Sequence, residues 1–117
     1  MRRHKYGAKW TTIDGIKFQS KLEATRYQHL RQWERLRVIG ALTLQPRFKL
    51  HAQNGDHIAT YIADFKYTYN DTLIIEDVKG VLTPIFKLKA KWFASDYPYL
   101  HLTIVTKKNI RDLPKKI

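Results

Sequence analysis

The chain has no cysteine among its 117 residues, which removes both a disulfide framework and a thiolate metal site from consideration. No apolar run approaches the roughly 18–20 residues that a bilayer span needs, and the first ten residues, MRRHKYGAKW, are charged where a secretory signal would be apolar. Repeats, low-complexity tracts and Pro/Gly-rich linkers are also missing. A single domain over residues 10–117 is expected, behind a basic arm at 1–9, in a cytoplasmic protein with no membrane partner. Acidic residues are scarce as well. Ten Asp and Glu stand against 22 Lys and Arg, for a net charge of +12 and an isoelectric point near 10.0. So large an excess on a small surface favours a polyanionic partner, because each phosphate contact releases condensed counterions.

What is present reads as alternating elements. Asp14-Gly15, Asn54-Gly55 and Asn70-Asp71 are expected to form two-residue hairpin turns. Residues 20–40 carry a helical signature, with Ser20 and Glu23 as a capping box and Gly40 as the stop. Leu22, Leu30, Trp33 and Leu36 supply its apolar contacts, and Arg26, Arg31, Arg35 and Arg37 its basic remainder. Strands are expected over 42–50 (with Pro46 at an edge or bulge), 60–69 and 72–79. On the second of these, Tyr61, Tyr67 and Tyr69 would share one face. Thr83-Pro84 opens a second helix, and residues 99–105 form a last buried strand. The order ββ-α-βββ-α-β predicts an α+β fold, a mixed sheet flanked by helices.

With acidic residues so few, their placement is informative. A two-residue turn at Asn70-Asp71 puts Asp64 opposite Asp77 and Ile62 opposite Lys79. A similar turn at Asn54-Gly55 puts Gln45 opposite Asp64, so one row would read Gln45, Asp64, Asp77. Facing carboxylates repel and call for a cation or a raised pKa. Lys79, on the same strand face as Asp77, offers part of the compensation, and a divalent metal would offer more. Hard oxygen ligands suit Mg²⁺, which keeps several waters and takes phosphate oxygens readily. Such a cluster supports phosphodiester hydrolysis: the metal polarises the phosphate and acidifies a water that the lysine orients or deprotonates.

The segments DF at 64–65 and EDVKG at 76–80 resemble motifs of the PD-(D/E)XK nuclease superfamily, whose usual core is αβββαβ. HKYGAKW, DGIKFQSKLEATRY, LQPRFKL, YIADFKY and FKLKAKWF are similar to those of a small phage-encoded branch of uncharacterised nucleases, over about residues 4–93. The resemblance implies a restriction-endonuclease-like fold and a Mg²⁺- or Mn²⁺-dependent DNA endonuclease, in phage DNA processing or recombination in the host cytoplasm. It implies Asp64 and Asp77 as metal ligands, the Val78 carbonyl as a third, Lys79 as the catalytic lysine, and Glu23 as the acidic helix position. Gln45 and Tyr61 fall in motifs of the small branch as accessory residues. One departure is that Asp77 stands where Glu is commoner. Size, basicity and motif order are also similar to archaeal-type Holliday junction resolvases, which are dimers, so a homodimer acting on structured DNA is among the expectations.

Simpler readings stand beside these. Glu23 at the third helical position can be only a cap, and Asp77 with Lys79 only an ion pair. Glu76 should face away from Asp77 as a structural or ion-pair residue. Lys87, Lys89 and Lys91 are a solvated basic face or phosphate contacts, and Arg2, Arg3 and Lys5 a DNA-tracking or merely solubilising arm. The competing function is a catalytically inactive nucleic-acid-binding module on the same fold.

Overall fold

The computed structural model describes residues 10–114. The arm at 1–9, with Arg2, Arg3 and Lys5, lies outside the described residues. β1 (Thr11–Ile13) and β2 (Ile16–Phe18) pair across Asp14-Gly15, whose φ values of +53° and +75° are the left-handed pair such a turn requires. Ser20 caps α1 (Lys21–Arg35), its Oγ accepting from the Glu23 amide at 3.1 Å. The helix stops at Arg35, short of the expected Gly40. Arg37 takes the left-handed position (φ +60°) usually given to glycine. Val38 N–H then reaches the Trp33 carbonyl at 2.8 Å, and Arg37 N–H the Glu34 carbonyl at 3.0 Å, closing the last turn. Gly40 instead opens a strand, where a Cβ would come within 3.1 Å of Thr68 Oγ1.

The expected strands 42–50 and 60–69 are each divided. β3 (Gly40–Leu44) and β4 (Arg47–His51) flank Gln45-Pro46, and β5 (His57–Ile62) and β6 (Phe65–Tyr69) flank Ala63-Asp64. Gln45 N–H bonds the Asp64 carbonyl at 2.9 Å and Ala63 N–H the Pro46 carbonyl at 3.1 Å, so the strands stay paired through the break. Gln45 is left-handed (φ +51°). Side chains change layers there. Leu44, Phe65 and Tyr67 pack with Tyr27 and Leu30 of α1, whereas Phe48, Leu50, Tyr61 and Ala63 pack with Phe86 and Phe93 of α2 (Pro84–Asp96). Tyr61 therefore does not share a face with Tyr67 and Tyr69, contrary to the single-strand expectation.

β7 (Thr72–Val78) follows β6 through Asn70-Asp71, both left-handed, in the expected register. Thr83 caps α2, which crosses to β8 (His101–Val105), parallel to β7. The four-stranded sheet runs β3-β6-β7-β8, and β4-β5 forms a separate ribbon. The fold is α+β, with a mixed sheet and two helices. β8, an edge strand, is half-buried rather than buried. The Asn54-Gly55 turn is longer than expected, because Ala52 N–H bonds the Asp56 carbonyl at 2.8 Å and encloses three residues. An extra residue near Ile58 restores the spacing, so Arg47 still faces Ile62. Among the described residues no helix is long and apolar enough to cross a membrane.

Candidate functional site

β7 lies between the two layers and is buried on both faces, so its side chains alternate between them. Ile74 and Val78 point into the α1 layer and Ile75 into the α2 layer. Two adjacent acids consequently enter different surroundings: Glu76 faces α1, and Asp77 faces Tyr61 beneath α2.

The break at Ala63-Asp64 brings the second acid to the end of β7. The β6–β7 ladder ends at Phe65–Glu76, and Asp64 N–H bonds the Glu76 carbonyl at 3.0 Å instead of pairing with Asp77. Asp64 Oδ2 accepts the Val78 amide at 2.7 Å. Asp77 is 1% exposed. Its Oδ2 accepts the Tyr61 hydroxyl. Its Oδ1 lies 3.2 Å from Lys79 Nζ, at ion-pair distance but without hydrogen-bond geometry. The Lys79 ammonium also sits 4.7 Å from the Phe86 ring centroid.

Burial, the Glu23 carboxylate and its hydrogen bond push Asp64 up to about 7. Burial and then Asp64 push Asp77 up to about 7, against the opposing pull of Lys79 and Tyr61. Asp64 thus stands between Glu23 on one side and Asp77 on the other. Glu23 turns its side chain to Asp64 while its amide serves the Ser20 cap, so the capping contact and the site contact coexist. Burial and Asp77 raise the Tyr61 pKa, keeping the phenol a donor.

Two clefts flank these carboxyl groups. Glu23, Gln45 and Asp64 line one of about 230 Å³ with Lys17. Tyr61, Asp77, Lys79 and Lys89 line the other, of about 290 Å³. Lys89 therefore faces the site, whereas Lys87 and Lys91 are exposed and line neither cleft. Among the described residues no three carboxylate or imidazole side chains are grouped as a ready-made metal cage. The donors still fit Mg²⁺ or Mn²⁺ held in an open manner, by one or two carboxylates with water and substrate oxygens completing the shell. Asp77 Oδ1, buried and without a hydrogen bond, is the acceptor that such a cation would satisfy.

Arg26, expected among the basic remainder of α1, is buried. Arg26 Nε and Nη2 donate to the two Glu76 oxygens at 2.8 and 2.6 Å, and Tyr67 donates to Glu76 Oε2. The ion-pair role expected of Glu76 is therefore met. The signal was available: Leu22, Arg26, Leu30 and Trp33 fall at spacings of one apolar helical stripe.

The Tyr61 hydroxyl gives a testable consequence. Tyr61→Phe leaves Asp77 Oδ2 without its donor, and metal-free urea denaturation at pH 8 should show a loss of roughly 1.5–3 kcal/mol, as for hydrogen bonds to charged groups. The loss should shrink at pH 5, where the Asp77 carboxyl is protonated.

No curated protein matches the chain. The family described as Protein of unknown function (DUF1064) has a model that matches residues 3–111, nearly the full length, and the chain belongs to that family.

Proposed function

We propose that the protein is a Mg²⁺- or Mn²⁺-dependent DNA endonuclease of the PD-(D/E)XK type, with the αβββαβ core of a restriction-endonuclease-like fold, working in phage DNA processing. The observation that carries this reading is the convergence of half-buried Asp64 and buried Asp77 with Lys79 at the end of β7. Two carboxyls that repel each other are a poor structural device unless a cation joins them. A bound metal would neutralise that charge, polarise the scissile phosphate and acidify a water.

The chain's own residues supply the rest. Asp64 and Asp77 hold the cation, Asp64 fixed by the Val78 amide and Asp77 by the Tyr61 hydroxyl. Glu23 stands behind Asp64 as the third carboxylate of the site, and Gln45 holds the Asp64 backbone. Lys79 orients the attacking water, whose proton passes to solvent as its oxygen bonds to phosphorus and the leaving oxygen departs with the bonding pair and takes a proton from solvent. Lys89, in the same cleft, binds a phosphate oxygen. Cutting both strands of a duplex or junction would favour a symmetric dimer with two such sites.

The test is cleavage of labelled duplex, single-stranded and four-way-junction DNA with Mg²⁺, Mn²⁺ or EDTA. Wild type should cut only with metal, and Lys79→Ala should be slower by roughly 10²–10⁴-fold, the usual contribution of a positioned catalytic side chain. The net charge of +12, which serves binding without any metal, favours a second reading, the inactive binding module. Metal-indifferent binding with no cutting would establish that reading instead.

A further inference from the structure

The cleft that holds Asp77 and Lys79 has an apolar wall for which phosphate chemistry has no use. Ile62 of β5 is 46% exposed and Ile85 of α2 is 69% exposed, and both line this cleft together with Lys89. Leu88, 61% exposed, stands one helical turn beyond Ile85 and extends the same surface. Scattered exposed apolar residues need no explanation, but these adjoin one another, border a cleft and are interleaved with cations. Within α2 the only acidic residue is Asp96, at its far end.

That charge selects the occupant. A second copy seated on this face would oppose the lysines with lysines, since a two-fold contact brings the same patch to itself. Duplex DNA satisfies the lysines and leaves the apolar wall facing water, because its base faces are stacked away. An unpaired base offers both a flanking phosphate and an apolar face, and isoleucine and leucine side chains are known wedges against unstacked bases. At about 290 Å³ the cleft is near the lower end of the ~300–1,000 Å³ usual for small-ligand pockets, which is nucleotide rather than duplex scale.

Resting on the nuclease reading of this cleft, we infer that its substrate is DNA unpaired at the cutting position. Lys89 holds the phosphate, and Ile62, Ile85 and Leu88 pack against the exposed base. The site thereby selects forks, flaps or single strands over intact duplex.

Binding in EDTA tests this without any chemistry, using fluorescence anisotropy of the full chain on a forked oligonucleotide and on its fully paired counterpart. The Ile85→Ser/Leu88→Ser double variant should bind the fork about tenfold more weakly, within the range of a lost base contact, and the duplex within about twofold of wild type. Lys89→Gln should weaken both and lower the salt dependence by about one counterion. Both apolar residues are exposed, and circular dichroism melts of the double variant should match wild type. Equal losses on the two DNAs, or no loss on either, would overturn the inference. Absence of binding to any DNA would overturn it together with the proposed function. Fork-selective binding that depends on Ile85 and Leu88, in a protein that cuts nothing with any metal, would remove the nuclease reading and leave the binding surface standing.

Discussion

Replacing Asp77 with asparagine is expected to abolish metal-dependent cleavage and, at pH 8 without metal, to make the protein more stable. Both effects have one origin. Asp77 is 1% exposed and is raised from 3.8 to about 7, by burial first and by Asp64 second. An acid with a higher pKa folded than unfolded binds more protons in the native state. Its stabilising contribution is complete below the unfolded value, near 4, and is lost as pH rises through about 7. At roughly 1.4 kcal/mol per tenfold change in proton affinity, the upper bound for one isolated group is about 4 kcal/mol. Asparagine removes the charge and keeps an oxygen for the Tyr61 hydroxyl. Urea denaturation in EDTA should therefore favour Asp77→Asn by about 1–3 kcal/mol at pH 8, with the gap narrowing below pH 7 and closing only near pH 4. Mg²⁺ should raise the melting temperature of wild type at pH 8, because a cation bound only by the native state stabilises it, and should leave the variant unchanged. A variant that is less stable than wild type at pH 8 and still cuts would make Asp77 an ordinary ion-pair partner of Lys79.

The parts of this arrangement legible in sequence are those set by local chemistry. Asp14-Gly15 and Asn70-Asp71 adopt the left-handed pairs that their residue types tolerate. The second turn fixes the β6–β7 register, which is why Asp64, Asp77 and Lys79 could be brought to one place from sequence. Thr83-Pro84 starts α2 for an equally local reason. The rest depends on partners distant in the chain. Pro46 hints at the break in its own strand, but nothing in Ala63-Asp64 does, and it is the paired break that turns Asp64 toward Val78. Gln45 and Arg37 take left-handed conformations without being glycine, held by hydrogen bonds of their neighbours. At Asn54-Gly55 a longer loop and a compensating bulge cancel, so Gln45 lies opposite Asp64 although the assumed turn is not there.

Arg26→Met should produce the largest loss of stability of any single change considered, about 3–5 kcal/mol, the usual cost of stripping one partner from a buried ion pair. Arg26 and Glu76 are 1% and 0% exposed. Burial alone would lower the Arg26 pKa, but its Glu76 contacts outweigh this and raise it. The same guanidinium donates from Nη1 to the Ile110 carbonyl at 2.9 Å and the Asp112 carbonyl at 2.7 Å. One side chain thus joins α1, β7 and the segment after β8. At roughly 4–8 °C per kcal/mol for a domain near this size, the melting temperature should fall by about 12 °C or more. Glu76→Leu alone should also be severe, since it strands the guanidinium. The double variant should cost at least 2 kcal/mol less than the two singles added, because neither charge is then left unpaired. It should not regain wild-type stability, because the Tyr67 hydroxyl and both carbonyls still lose their partner. Additive losses in urea denaturation would mean that the pair is not coupled. Glu76 adjoins Asp77 on β7, so a loosened Arg26 variant should also cut DNA more slowly, although Arg26 lines neither cleft beside the carboxylates. The strand that carries the proposed metal ligand on one face is anchored by this ion pair on the other.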